Sequence, residues 1–69
     1  MPRYIIAFGL SSDVREIESP SLEAALAVAV QRTKDEGVEE EMIADCAWAE
    51  PYSEELAHEV GLQPYEYAD

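Results

Sequence analysis

Residues 3–10 read RYIIAFGL, an apolar segment rich in tyrosine, isoleucine and phenylalanine. Tyr4, Ile6 and Phe8 alternate with Ile5 and Ala7, so apolar side chains fall on both faces of an extended chain. Aromatic and β-branched residues favour that conformation, and a strand with two apolar faces is typically buried on both sides. The stretch therefore predicts a strand that is covered on both faces.

A turn and a second strand are expected after this stretch. Residues 11–13 read SSD, a combination typical of turns, and residues 14–18 predict a shorter return strand. Val14 and Ile17 fall on opposite faces of that strand, so its alternation is poor. A bulge or a helical turn is therefore an alternative for this segment.

A long helix is predicted over residues 20–36. Ser19 followed by Pro20 fits an N-cap with proline at the first helical position, and Gly37 fits a left-handed stop. The alanines of this segment would allow the helix to approach a sheet closely. Its predicted apolar face consists of Leu22, Ala25, Leu26, Ala29, Val30 and Thr33.

Residues 38–49 fit two patterns. Every second residue from Met42 to Trp48 is apolar, as in a strand, whereas every fourth residue from Val38 to Cys46 is apolar, as in a helix. Glutamate, methionine and alanine also favour a helix. We favour the strand, because it would complete a small sheet under the long helix.

A short helix is predicted near the C-terminal end. Residues 51–53 (PYS) should end the preceding element, and Ser53 should cap a helix over residues 54–60. Gly61 is placed as its stop, with Leu62 positioned for the accompanying hydrophobic contact. The remaining residues are expected to be extended.

The whole chain of 69 residues has room for one domain. Its hydrophobic content of 48% is enough for a small core, which separates it from disordered chains of high charge. We predict a single α+β domain over residues 1–69, in which an antiparallel sheet of two or three strands packs against one long helix and a short C-terminal helix.

Cysteine usage and the N-terminal segment predict a compartment. Cys46 is the only cysteine and cannot form an internal disulfide, which favours a reducing cytosol. The apolar stretch near Met1 is too short for a secretory signal or a membrane span. We expect a protein of the cytoplasm of a bacterial host, a monomer rather than a dimer, with no membrane contact.

The distribution of charge is the main functional clue. Residues 1–34 hold all four Lys and Arg and four of the sixteen Asp and Glu, so this half is neutral. The net charge of −12 therefore belongs to twelve carboxylates in residues 35–69. This concentration of one sign exceeds the charge magnitude of about 2–8 that keeps a small domain soluble. A halophilic composition would instead be uniform along the chain.

Few residues could support catalysis or bind a metal. Cys46 and His58 are the only Cys and His, and we expect a buried thiol and a surface imidazole instead of a nucleophile and its base. A structural zinc site would need four such ligands. Glu39, Glu40 and Glu41 with Asp45 lack the spacing of a calcium loop, and no glycine-rich phosphate loop is present. We expect no enzyme and no cofactor.

The charge also excludes direct nucleic-acid binding, because phosphates are neutralised by Lys and Arg. A surface that repels DNA attracts the basic grooves that bind DNA. Carboxylates four residues apart on a helix, such as Glu55 and Glu59, lie about 6 Å apart along its axis. Rows with this spacing can imitate a phosphate track, and neighbouring aromatic residues can anchor an interface.

In size, acidity, α+β pattern and lack of catalytic groups, the chain resembles small phage-encoded anti-CRISPR proteins, several of which mimic DNA. The resemblance is one of overall character, without a defining motif. It implies an inhibitor of a basic nucleic-acid-binding protein, such as a Cas subunit of a CRISPR effector complex, with the mimicry confined to one face. The predicted partner-binding residues are Asp35, Glu36, Glu39, Glu40, Glu41, Asp45, Glu50, Glu54, Glu55, Glu59, Tyr65, Glu66 and Tyr67.

Two other classes of protein fit the same composition. An acidic immunity or antitoxin-like module would neutralise a single basic nuclease. A structural or assembly protein would use its charge for solubility alone, as many charged segments do. The first would bind one toxin, and the second would bind no basic protein at physiological salt.

Overall fold

The computed structural model describes residues 1–11 and 13–62. The described part of the chain forms three strands and three helices, which confirms the predicted α+β class. In chain order the elements are β1 (Arg3–Phe8), β2 (Asp13–Glu18), α1 (Leu22–Asp35), α2 (Glu40–Cys46), β3 (Trp48–Pro51) and α3 (Glu54–Glu59).

The three strands form one antiparallel sheet with β1 in the centre and β2 and β3 on either side. Ile5 pairs with Glu16 of β2 and with Glu50 of β3, so these three side chains share a face of the sheet. Every residue of β1 from Tyr4 to Phe8 is buried. The prediction of a strand covered on both faces is confirmed, and the return strand has no helical turn.

The helix α1 packs on the sheet face that carries Tyr4, Ile6 and Phe8. Its buried residues are Ala25, Ala29 and Thr33, as predicted. These small residues let the helix axis approach the bulky side chains of β1 closely.

Two residues of the predicted apolar face of α1 lie outside this contact. Leu22 and Leu26 are 44% and 41% exposed, so their assignment to the inner face was wrong. The small residues Ala25, Ala29 and Thr33 face the sheet instead. The large side chains of β1 therefore determine which face of α1 packs on the sheet.

One buried hydroxyl joins α1 to the end of β1. The Oγ1 of Thr33, which is fully buried, accepts a hydrogen bond from the Gly9 backbone N–H at 3.1 Å. The same hydroxyl donates to the Ala29 carbonyl at 2.8 Å. Gly9 has a φ of 80°, a conformation that side chains with a Cβ rarely adopt. The hydroxyl thus satisfies the N–H that the turn leaves without a strand partner.

The start of α1 differs from the prediction. Ser21 is the N-cap, because its Oγ accepts from the Ala24 N–H at 3.1 Å, and the helix begins at Leu22. Ser19 was the predicted cap, but its N–H donates to the Pro2 carbonyl and its Oγ to the Ser21 carbonyl. Ser19 therefore continues the pairing of the hairpin, and the helix can start only after Pro20.

The predicted stop of α1 is confirmed. Gly37 is in the left-handed region with a φ of 85°, and its N–H donates to the Lys34 carbonyl at 2.9 Å. The Val38 N–H donates to the Thr33 carbonyl at 3.4 Å. This pair of bonds is a Schellman motif, which satisfies carbonyls at the end of the helix.

The helix α3 begins at Glu54 as predicted and ends at Glu59, one residue before the predicted end, with Val60 as its C-cap. The Ser53 Oγ accepts from the Leu56 N–H at 3.0 Å. Gly61 has a φ of 77°, and the Leu62 N–H donates to the Ala57 carbonyl at 2.8 Å in a second Schellman motif. A six-residue helix has little stability alone, so this capping and the burial of Ala57 hold it in place.

The strand prediction for residues 38–49 was wrong over most of its length. Residues 40–46 form α2, which packs on α1 and contributes Ile43 to the core. Carboxylates in its first turn favour the helix through the helix dipole. Only at Trp48 does β3 begin, and it includes Pro51, which was expected to end the element. A proline is tolerated there because β3 is an edge strand.

Candidate acidic interface

All the predicted carboxylates in the described part of the chain, from Asp35 to Glu59, are exposed. Three predicted partner-binding residues, Tyr65, Glu66 and Tyr67, lie outside the described residues. The exposed carboxylates stand on helices, a strand and a connecting loop, so the fold fixes the places from which they project. They form two groups.

The α2 acidic group surrounds the junction between α1 and α2. Asp35 is the last residue of α1, and its Oδ1 accepts from the Gln31 Nε2 at 3.0 Å. The carboxylate of Glu36 lies against Gly9, in the space that a Cβ on that glycine would occupy. The members of the group are Asp35, Glu36, Glu39, Glu40, Glu41 and Asp45.

The α3 acidic group extends from β3 to the C-terminal helix. Glu50 pairs with Ile5 in the ladder and so projects from the sheet face opposite α1. Leu56 lines a surface depression together with Trp48, Glu50 and Tyr52, which places α3 beside that same face. The members of the group are Glu50, Glu54, Glu55 and Glu59.

The sheet separates the two groups. The α2 acidic group accompanies the helical layer on the Tyr4 face, whereas the α3 acidic group accompanies the opposite face. The carboxylates therefore do not share one face, to which the resemblance would confine any mimicry. The reason is the helix at residues 40–46. It carries three of these carboxylates, and Glu39 is its N-cap. The helix packs on α1 instead of adding a strand to the sheet.

Few of these charges are compensated. Among residues 1–11 and 13–62, one ion pair is within 4 Å, and it joins Arg3 to Glu16 at 2.8 Å. Both partners belong to the neutral half of the chain. The guanidinium of Arg32 lies 5.1 Å from the centre of the Phe8 ring, in a cation–π contact. Both acidic groups are therefore without an ion-pair partner within the described part.

The two side chains that could support catalysis, those of Cys46 and His58, differ in their exposure to solvent. His58 is exposed on α3, as predicted, whereas Cys46 is half-buried at the margin of the core on α2, and so is less buried than predicted. Within the described residues, no set of three His, Cys, Asp or Glu side chains is arranged to hold a metal ion.

The predicted partner-binding residues leave out two aromatic residues that border the α3 acidic group. Trp48 and Tyr52 are both half-buried. Both line the depression with Glu50. The signal that could have found them is the spacing of two residues between Trp48, Glu50 and Tyr52, which places all three on one face of a strand.

Comparisons with protein families, with curated proteins and with solved structures found no match to this chain. None of the helices in the described part has both the length and the apolar character needed to cross a membrane. We therefore infer the function from the geometry of the chain itself.

Proposed function

We propose that this protein is a stoichiometric, non-enzymatic inhibitor that occupies the basic groove of a nucleic-acid-binding protein. Because the chain resembles anti-CRISPR proteins, the first partner to test is a Cas subunit with a basic groove. The observation that carries the proposal is that the carboxylates of the α2 and α3 acidic groups are exposed and without ion-pair partners in the described part.

The spacing of the carboxylates supports mimicry of a phosphate backbone. Glu41 and Asp45 lie one turn apart on α2, and Glu55 and Glu59 lie one turn apart on α3, which is about 6 Å along each axis. Duplex DNA presents one charge per roughly 1.7 Å of axis over its two strands. The two carboxylates on each helix are therefore spaced like every second phosphate of one DNA strand, roughly 7 Å along the duplex axis.

The division into two groups favours a duplex as the imitated ligand. A duplex carries its phosphates on two strands, and this chain carries its carboxylates on two sides of a sheet. A groove that encloses DNA could therefore contact both groups. Concentrated charge of one sign also raises the association rate with an oppositely charged groove.

The test is a competition experiment. Purified CRISPR effector complex is loaded with labelled target duplex, and this protein is added in increasing amounts while bound duplex is measured. We expect displacement at one copy of inhibitor per groove, with a steep loss of inhibition as salt is raised. A complex that holds the duplex and this protein together would contradict the proposal.

A matched pair of variants separates position from charge. Glu41→Lys and Glu23→Lys reverse one exposed carboxylate each, both in the first turn of a helix, so their effects through the helix dipole are alike. We expect Glu41→Lys to weaken inhibition strongly and Glu23→Lys to weaken it little. Equal effects would mean that the charge serves solubility alone.

The absence of catalysis is tested separately. Cys46→Ser and His58→Ala should leave inhibition unchanged, since neither side chain has a plausible catalytic partner. Loss of activity in either variant, with the far-UV circular dichroism of the wild type, would contradict a binding-only role. Displacement of substrate from a nuclease but not from an effector complex would assign the chain to the immunity class.

A further inference from the structure

The depression beside α3 has an unusual lining for a surface so acidic. Trp48, Glu50 and Tyr52 project from one face of β3 and its continuation, each about 7 Å from the next. Leu56 of α3 lines the same depression. The depression has a volume of about 660 Å³ and is open to solvent. It combines two aromatic rings, an aliphatic wall and one exposed carboxylate, and it can admit a long side chain from another molecule.

The same sheet face already binds one guanidinium group in this manner. The Cζ of Arg3 lies 4.1 Å from the centre of the Tyr52 ring, and its Nη1 donates to the Glu16 carboxylate at 2.8 Å. The Tyr52 N–H also donates to the Arg3 carbonyl at 3.0 Å, which keeps the two residues opposite each other. Stacking on a ring combined with pairing to a carboxylate is the arrangement that suits arginine best.

Trp48 and Glu50 provide the same two groups without a cation. Among the residues that the structure describes, no Lys or Arg stacks on Trp48, and Glu50 is exposed with no ion pair. Tryptophan is the best ring for a cation–π contact. The net charge of −12 draws cationic groups to this surface.

We propose that this depression binds an arginine side chain of the partner, with the guanidinium stacked on Trp48 and paired with Glu50, and the aliphatic stem packed on Leu56. The inference rests on the proposed function for its partner, because a basic groove supplies the arginine. Rings and apolar walls strengthen the contact by excluding water from it, so this site would act as an anchor within a broader electrostatic surface.

Trp48 is the single tryptophan of the chain, so its fluorescence reports on the depression directly. The probe is the peptide acetyl-Gly-Arg-Gly-amide, titrated at constant ionic strength. The control is the same peptide with citrulline, which keeps the shape of arginine without its charge. We expect a saturable change in Trp48 emission with the arginine peptide and none with the citrulline peptide. An equal change with both peptides would overturn the proposal.

Two variants locate the carboxylate. Glu50→Gln should weaken the arginine peptide about threefold to fivefold, as expected for loss of an exposed ion pair. Glu41→Gln removes the same charge from α2, on the other side of the sheet, and should change the affinity by less than about 1.5-fold. Equal weakening by the two variants would show that net charge alone attracts the peptide. A lysine peptide that binds as tightly as the arginine peptide would overturn the assignment of arginine.

The outcome is independent of the competition experiment. If the arginine peptide fails to perturb Trp48 while the protein displaces duplex from the effector complex, this inference is wrong and the proposed function stands. If the peptide binds at Trp48 while the duplex is never displaced, the proposed function is wrong and the depression remains a site for arginine. Circular dichroism of Glu50→Gln verifies that the fold is kept.

Discussion

The two halves of the chain differ in the length of their elements and in their balance of charge, although both contribute to the core. Residues 1–34 contain the central strand, the hairpin and nearly all of the long helix, and their charges balance. Residues 35–62 contain two short helices and a four-residue strand, and they carry no Lys or Arg. The comparison suggests that short elements attached to an already stable hairpin and helix can tolerate a concentration of one charge. Each of the following predictions tests this division.

The largest effect is expected in the core of the first half. Ile6 is fully buried in the centre of β1, so Ile6→Ala should lower the free energy of unfolding by about 2–5 kcal/mol. In a domain of this size that loss removes most of the stability. Urea denaturation followed by circular dichroism measures it. Leu26→Ala, at a position 41% exposed, should cost less than about 1 kcal/mol. Similar losses would place the core elsewhere.

A smaller effect is expected where α1 is joined to β1. Thr33→Val keeps the volume of the side chain but leaves the Gly9 N–H without its acceptor, at a cost of about 1–3 kcal/mol. Thr33→Ser retains the hydroxyl and should cost less than Thr33→Val in the same urea experiment. The reverse order would mean that the buried methyl group, and not the hydrogen bond, holds the two elements together.

The charge of the second half should appear as a dependence of stability on salt. Raising NaCl from about 20 mM to about 0.5 M screens the repulsion between carboxylates. We expect the thermal midpoint to rise by about 4–8 °C, which corresponds to about 1 kcal/mol for a small domain. Scanning calorimetry at neutral pH gives the midpoint at each salt concentration.

Matched variants assign this salt effect to one half. Replacing Glu40 and Glu55 with glutamine, one from each acidic group, should reduce the rise in the midpoint. Replacing Glu18 and Glu23 with glutamine removes equal charge from the neutral half and should leave the rise nearly unchanged. Equal reductions would break the proposed division, since both halves would then contribute to the repulsion.

The smallest effect is expected at the Arg3–Glu16 ion pair. Its side chains are 52% and 31% exposed, so screening by solvent limits its contribution to about 0.2–1 kcal/mol. A double-mutant cycle with Arg3→Met and Glu16→Gln measures the coupling between the two groups. A coupling energy above this range would show that charge compensation stabilises the first half more than the exposure of these two side chains predicts.

The parts of the fold that sequence predicts well are those with a single physical solution. The alternating apolar residues of RYIIAFGL fit only a strand that is buried on both faces. Gly37 and Gly61 are the residues that can adopt the left-handed conformation that ends a helix. Ser19 and Ser21 both satisfy the chemistry of an N-cap, so the pattern alone could not choose between them. The choice was made by the hairpin, which uses the Ser19 N–H.

The site was predicted only in part, for a related reason. Exposure of the carboxylates follows from their cost of burial and needs no structure. Their division across the sheet depends on whether residues 40–46 form a helix, and an apolar run this short fits periods of two and of four equally well. The half-buried position of Trp48 also depends on where β3 begins, which is settled by tertiary packing.

In the described part of the chain, β2 and β3 are the edge strands of the sheet, and each has features that oppose pairing with a further strand. Four of the six residues of β2 (DVREIE) are charged residues. The strand β3 is only four residues long and ends at Pro51, which has no N–H to donate. Charge and proline on edge strands both discourage the addition of a further strand. Fibril growth by stacking of such edges is therefore disfavoured.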